Sequence, residues 1–260
     1  MPLIDSHSHI HDADFPFPKE EVFRQALAEN VKKIVCIGVS EDDSETAVKF
    51  AENNSSDEVE LLVCVGVHPH EAKDFSGDSV RLKKLARHKT VIGIGEIGLD
   101  YHYNNSSQDD QIAALRAQIQ LAAKLDLPIA FHVRDAYEDF WRVFDEENRN
   151  STIRGVLHSF TDSIENLEKA LARNLYIGIN GISTFAKKPH EIEMFEAIPL
   201  NRILLETDAP FLAPAGKRGK PNQPAWTSMI AQDLANKRGI SVEKVAEITN
   251  HNFEDLFNLY

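Results

Sequence analysis

Residues 91–133 read VIGIGEIGLDYHYNNSSQDDQIAALRAQIQLAAKLDLPIAFHV: an apolar run, a helical stretch and a second apolar run. The runs at 91 to 97 and 128 to 133 are nearly continuous in apolar residues instead of alternating, as parallel strands covered on both faces are. Between them, 109 to 126 places apolar residues at helical spacing and can bury one stripe. A strand, a helix and a second strand in this order form a parallel crossover.

Working outward, Val- and Ile-rich runs recur near 3 to 8, 33 to 39, 61 to 67, 155 to 159, 175 to 180 and 202 to 207, which brings the candidate strands to eight. Helical periodicity fills the spaces at 20 to 30, 44 to 53, 79 to 88, 136 to 148, 163 to 174 and 191 to 199, and in a C-terminal run from Pro224 onward. Eight alternating units in 260 residues predict an α/β chain of the (β/α)8 TIM-barrel class, one domain over 1–260, because closure leaves no parallel strand with an open edge. An open doubly wound sheet is the runner-up. No low-complexity linker marks a boundary, and PFLAPAGKRGKPNQP at 210 to 224 reads as a Pro/Gly loop capping the barrel mouth.

The 42% hydrophobic and 27% charged composition suits one large globular core. The N-terminus has no basic region followed by an apolar one, and no apolar run is long enough to span a bilayer, so a cytoplasmic protein with no membrane partner is expected. Cys36 and Cys64 each lie inside an apolar strand-like run and are read as buried, reduced thiols. A net charge of -13 argues against general adhesion to nucleic acid or anionic membrane, so any such contact has to be local.

The eleven histidines are more informative. In a barrel of this class chemistry sits where strands end, and metal-capable residues collect there. Strand 1 ends in Asp5-Ser6-His7-Ser8-His9, where alternation points His7 and His9 to the same side. Glu96 follows IGIG, His132 follows PIAF, His158 follows GVL and Asp208 follows ILLET, each a polar break at the end of an apolar run. A lone His-x-His is weak evidence, but six potential ligands from five strands form a set. Four imidazoles and two carboxylates exceed what one catalytic ion needs, so two divalent ions are expected. One would take His7, His9 and Asp208; the other would take His132 and His158, with Glu96 placed to bridge. Mg2+, Mn2+ and Zn2+ all tolerate that mixed shell. Asp208, which can hold the proton lost by an attacking water, and Glu96 are the groups expected to carry the chemistry.

As a set, IDSHSHIHD at 4–12, VGVHPH at 65–70, GEIGLDYH at 95–102, PIAFHVRDA at 128–136, GVLHSFT at 155–161, LLETDAPFLAP at 204–214 and RGKPNQP at 218–224 resemble the TatD family of metal-dependent deoxyribonucleases, within the amidohydrolase-like barrels. The resemblance runs nearly end to end. It implies ligands at His7, His9, Glu96, His132, His158 and Asp208, and hydrolysis of phosphodiesters with divalent metal, trimming DNA from the 3′ end. Glu96 stands where related barrels bridge their metals with a modified Lys, which favours this family over those.

Supporting residues are expected at the same rim. His68, at the end of strand 3 in GVHPH, is aimed at the mouth and can hydrogen-bond a phosphate oxygen or pack structurally. Arg134 can present its planar fork to phosphate or pair with Asp135 or Asp100. Lys217, Arg218 and Lys220 are the most basic stretch and can guide a phosphate backbone, Arg218 being the expected substrate contact. Glu206 reads as a partner for a metal-ligating His. Phe160, Phe185 and Trp226 are candidate base-stacking surfaces. His70 and His102 fall in loops near the site, while His11, His88, His190 and His251 read as surface or capping residues.

The expected substrate is DNA, single-stranded or at frayed ends, and a monomer is the expected state. A competing reading is a metal-dependent hydrolase of another ester or amide, such as an aminoacyl ester on tRNA or a small molecule, on the same site. A non-catalytic barrel with structural or absent metal is disfavoured, because structural zinc favours closed, Cys-rich shells.

Overall fold

The computed structural model describes residues 1–103, 105–149 and 152–259. Eight parallel strands alternate with helices along the chain, which is the (β/α)8 TIM-barrel class expected from the sequence. The strands are β1 (Leu3–Ser8), β2 (Val31–Ile37), β3 (Glu60–Val65), β4 (Val91–Asp100), β5 (Ile129–Arg134), β6 (Gly155–Leu157), β7 (Tyr176–Ile179) and β8 (Ile203–Leu205). The helices are α1 (Lys19–Ala28), α2 (Glu41–Asn54), α3 (Val80–Leu85), α4 (Gln108–Leu125), α5 (Tyr137–Glu147), α6 (Ile164–Ala172), α7 (Pro189–Ala197), α8 (Thr227–Arg238) and α9 (Val242–Phe257).

The chain clusters into two compact units. The first comprises Met1–Cys36, Asn54–Leu61 and Ser159–Tyr260. In it β1 pairs with β2 and β7 with β8, while Ser8 bridges Ala209 and the Asp208 N–H donates to the His7 carbonyl at 2.9 Å. The second comprises Ile37–Asn53 and Leu62–His158, where β3, β4, β5 and β6 pair in chain order. Its strands are apolar because helices cover them: Phe131 of β5 lies 5.1 Å from the ring of Phe140 and 6.0 Å from that of Phe144, both on α5 and all fully buried. Truncating any of the three to Ala would cost about 3–5 kcal/mol.

Two departures from the expected elements have identifiable causes. β4 runs ten residues, to Asp100, beyond the predicted end at 97. Gly98 allows it: a Cβ there would lie 1.7 Å from the His132 carbonyl oxygen, so only glycine lets β4 lie against β5 through Leu99↔Val133 and Asp100↔Arg134. The C-terminal run splits into α8 and α9, because Gly239 ends α8 in the left-handed conformation (φ 64°) and the Ser241 side chain caps α9 by accepting from the Lys244 N–H. Ser107 and Ser163 cap α4 and α6 in the same way. Cys36 and Cys64 are both buried, as expected. Among the described residues no helix is long and apolar enough to cross a membrane.

Candidate metal centre

In the first unit, β1 carries His7 and leads into His9, and the residue after Thr207 is Asp208. The two imidazoles face one carboxylate: Asp208 Oδ1 lies 3.6 Å from His7 Nε2 and 3.4 Å from His9 Nε2. This is the trio that alternation along strand 1 and the break after strand 8 select. Asp208 sits at φ 59°, a left-handed backbone that Asp adopts more readily than most residues with a Cβ. Its own N–H donates to the His7 carbonyl, and the Phe211 N–H donates to its carbonyl at 2.7 Å.

Behind this trio Asp5 is fully buried. Its carboxyl accepts from the Thr207 N–H at 2.8 Å, from Thr207 Oγ1 at 2.6 Å and from the His7 N–H at 3.4 Å. Burial pushes that carboxyl up to about 8 against the pull of those hydrogen bonds. Asp5 therefore ties the end of β1 to Thr207, beside Asp208. Glu206 accepts from the Ser159 N–H at 2.7 Å and from Asn180 Nδ2 at 3.3 Å, so it anchors the turn after β6.

In the second unit His132 is the centre. Its Nδ1 lies 2.8 Å from Glu96 Oε1 and its Nε2 lies 2.9 Å from Asp100 Oδ2. His158 Nε2 and His68 Nε2 each lie 3.8 Å from the same Glu96 oxygen. His68, Glu96 and His132 offer ligand atoms all within 4.8 Å of one another. Burial pulls His132 down, but its bonds to Asp100 and Glu96 outweigh that and hold it up at about 9. The reverse holds at Asp100: burial raises it, and the His132 and Tyr103 bonds bring it well below the usual carboxylate range. At His68 burial outweighs the pull of Glu96 and Asp100 and pushes the imidazole down to about 3, so it is neutral at physiological pH.

The donor chemistry fits divalent cations. Each unit gathers imidazole nitrogen and carboxylate oxygen in a mostly buried setting, with neither thiolate nor a closed shell. In the second unit the imidazole of His132 spans two carboxylates, so one nitrogen can bind an ion while the other donates its N–H to Asp100.

Asp100 has a role that sequence reading did not assign. Its Oδ2 also lies 3.2 Å from His70 Nε2, and its Oδ1 accepts from the N–H groups of His102 (2.9 Å) and Tyr103 (3.0 Å). Two glutamines of α4 hold the last residue of β4 and the segment just after β3. Gln111 Oε1 accepts from the Asp100 N–H at 2.8 Å and its Nε2 donates to the Asp100 carbonyl at 3.0 Å. Gln118 does the same for Val67, at 2.7 and 3.0 Å. The signal was two glutamines seven residues apart, two helical turns, on the buried stripe of one helix.

The other residues picked out by the sequence are placed as follows, some of them differently than expected. His68 does not end strand 3, which stops at Val65; it caps the 3-10 turn Pro69–Asp74, its Nδ1 accepting from the His70 N–H. Arg134 lies with its guanidinium carbon 5.0 Å from the centre of the Tyr103 ring, while Asp135 pairs with His102 at 3.0 Å. Arg218 is exposed in the loop after β8, where Lys217 stands 5.1 Å over the Trp226 ring. Phe160 and Trp226 are buried and offer no open face to a base, and Phe185 is half-buried. His11 is buried too, its ring 6.2 Å from that of His9.

Comparison with known proteins places the chain among metal-dependent hydrolases. A YabD protein of Bacillus subtilis, named an uncharacterized metal-dependent hydrolase, is 36% identical over 260 residues, covering 99% of both chains. The 3'-5' ssDNA/RNA exonuclease TatD of Pantoea ananatis is 35% identical over 263 residues, covering 99% of this chain and all of that one. The crystal structure of YJJV, a TatD homologue from Escherichia coli, superposes with a TM-score of 0.89 at 26% identity, covering 99% of this chain and 98% of that one. The fold and the donor sets define a metal-dependent hydrolase on a (β/α)8 scaffold. The family described as TatD related DNase matches residues 4–258, and the chain belongs to it.

Proposed function

We propose that this chain is a divalent-metal-dependent deoxyribonuclease that removes nucleotides from the 3′ end of single-stranded or frayed DNA. His7, His9 and Asp208 would hold one cation, and Glu96, His132 and His158 a second. A cation so held would neutralise phosphodiester charge and lower the pKa of an attacking water. Asp208 orients that water and takes its proton. Neutral His68 donates a hydrogen bond to a phosphate oxygen, and Arg134 and Arg218 meet phosphates further along the strand. Asp100 keeps the imidazole of His132 in one tautomer and orientation.

The observation that carries this reading is the pair of donor sets, His7/His9/Asp208 and Glu96/His132/His158, in a member of a family described as DNases. Hydrolysis of an aminoacyl ester on tRNA or of a small ester remains the second reading, since the same donors polarise a carbonyl. A panel of 3′-labelled oligonucleotides, an aminoacyl-tRNA and a small ester, each with Mg2+, Mn2+ or Zn2+, separates the two. The expected result is progressive shortening of the single strand from its 3′ end, stopped by chelator. Digestion indifferent to chelator, or faster turnover of either ester, overturns the proposal.

A further inference from the structure

We propose that Phe211 is a stacking platform for a nucleobase of the substrate, seated beside the cation ligands of the first unit. The inference rests on the nuclease reading above and gives it a recognition group. Phe211 is 60% exposed, and its ring stands edge-on to that of His9 at 6.2 Å. It is held out by its backbone. Its N–H donates to the Asp208 carbonyl, and it is bracketed by two non-glycine residues in the left-handed region, Asp208 (φ 59°) and Leu212 (φ 52°). The segment is fixed on both sides: the Ala209 N–H donates to Thr207 Oγ1, and the Asn222 N–H donates to the Pro210 carbonyl. Next to it, a Cβ on Gly181 would lie 2.0 Å from the Leu212 carbonyl oxygen, so the loop is seated closely against that turn.

A large apolar ring held in water by a strained, well-bonded loop against metal ligands is an arrangement that folding alone does not favour. A chain of net charge -13 draws little general affinity for a polyanion, so contacts at the reacting end have to supply it. Base stacking suits that need, because every base offers a π-face and the contact is tolerant of sequence. Bases within a duplex are already stacked, so such a platform also favours unpaired ends. Neither Phe160 nor Trp226 can serve, since both are buried.

The test compares two 3′-labelled single strands, one ordinary and one with abasic sites at its last three nucleotides, digested by the Mn2+-loaded protein. The wild type is expected to prefer the base-bearing strand, and Phe211→Ala to lose that preference by roughly tenfold or more, with Phe211→Trp restoring it. Fluorescence anisotropy of a labelled oligonucleotide on chelator-treated protein, where nothing is cleaved, should rank the wild type and the two variants in the same order. Equal preference in wild type and Phe211→Ala, with cleavage intact, overturns the stacking role and leaves the nuclease reading standing. A wild type that cleaves neither strand overturns the nuclease reading, and this inference with it.

Discussion

Nε2 of His132 lies 2.9 Å from Oδ2 of Asp100, on the side of the ring away from Glu96. A carboxylate there fixes which nitrogen carries the proton and so which is free to bind an ion. Asp100→Asn keeps the shape but removes the charge, and should weaken divalent-metal binding by about 10–100-fold. Calorimetric titration of the apo protein with Mn2+ measures this. Unchanged affinity would reduce Asp100 to a strand-end cap for the turn through His102 and Tyr103.

His132→Ala and Asp208→Ala each remove one of the ligands proposed above. Each is expected to lower hydrolysis of any accepted substrate by at least about 100-fold while the far-ultraviolet circular dichroism stays native. Measured rates within a few fold of wild type in either variant would remove that residue from the metal centre.

Which parts of this were legible in the sequence follows from how local each signal is. The eight strands announced themselves as apolar runs, and five of the six proposed ligands lie near observed strand ends: His9, His158 and Asp208 past them, His7 and His132 within the last three residues of β1 and β5. The sixth, Glu96, lies inside β4, because Gly98 lets that strand continue; the same glycine hid Asp100, which looked like a loop residue. Gln111 and Gln118 were hidden differently: glutamine in a helix reads as solvent-facing until the carbonyl and amide it meets are known. Phe211 was passed over for Phe160 and Trp226, since no pattern in the chain says which aromatic the fold leaves in water.

Gln111 and Gln118 give a stability prediction. Each is buried, and each satisfies both backbone groups of one residue, Asp100 and Val67 respectively. Gln111→Leu or Gln118→Leu keeps the volume but strands an N–H and a carbonyl, at about 1–3 kcal/mol for each group left unpaired. Urea denaturation should show the loss, and Gln118→Leu should also disturb His68, one residue beyond Val67. A variant as stable as the wild type would mean that water replaces the lost bonds.

Cys64 gives a prediction in pH. Burial pushes its thiol from 9.0 up to about 12, so at pH 8 the folded chain holds almost no thiolate there. A chromogenic disulfide reagent should label neither Cys36 nor Cys64 in the native protein, because both are buried, and both after denaturation. The sign of the linkage follows from proton counts. Below pH 9 both states keep the Cys64 proton and its contribution to stability is flat. Between 9 and 12 the unfolded chain loses that proton while the folded chain keeps it, so unfolding releases a proton and the native state loses stability as pH rises. Cys64→Ala should flatten that part of the curve, at the expense of a small cavity. A denaturation midpoint that falls between pH 9 and 11 identically in wild type and Cys64→Ala would assign the alkaline loss to other groups.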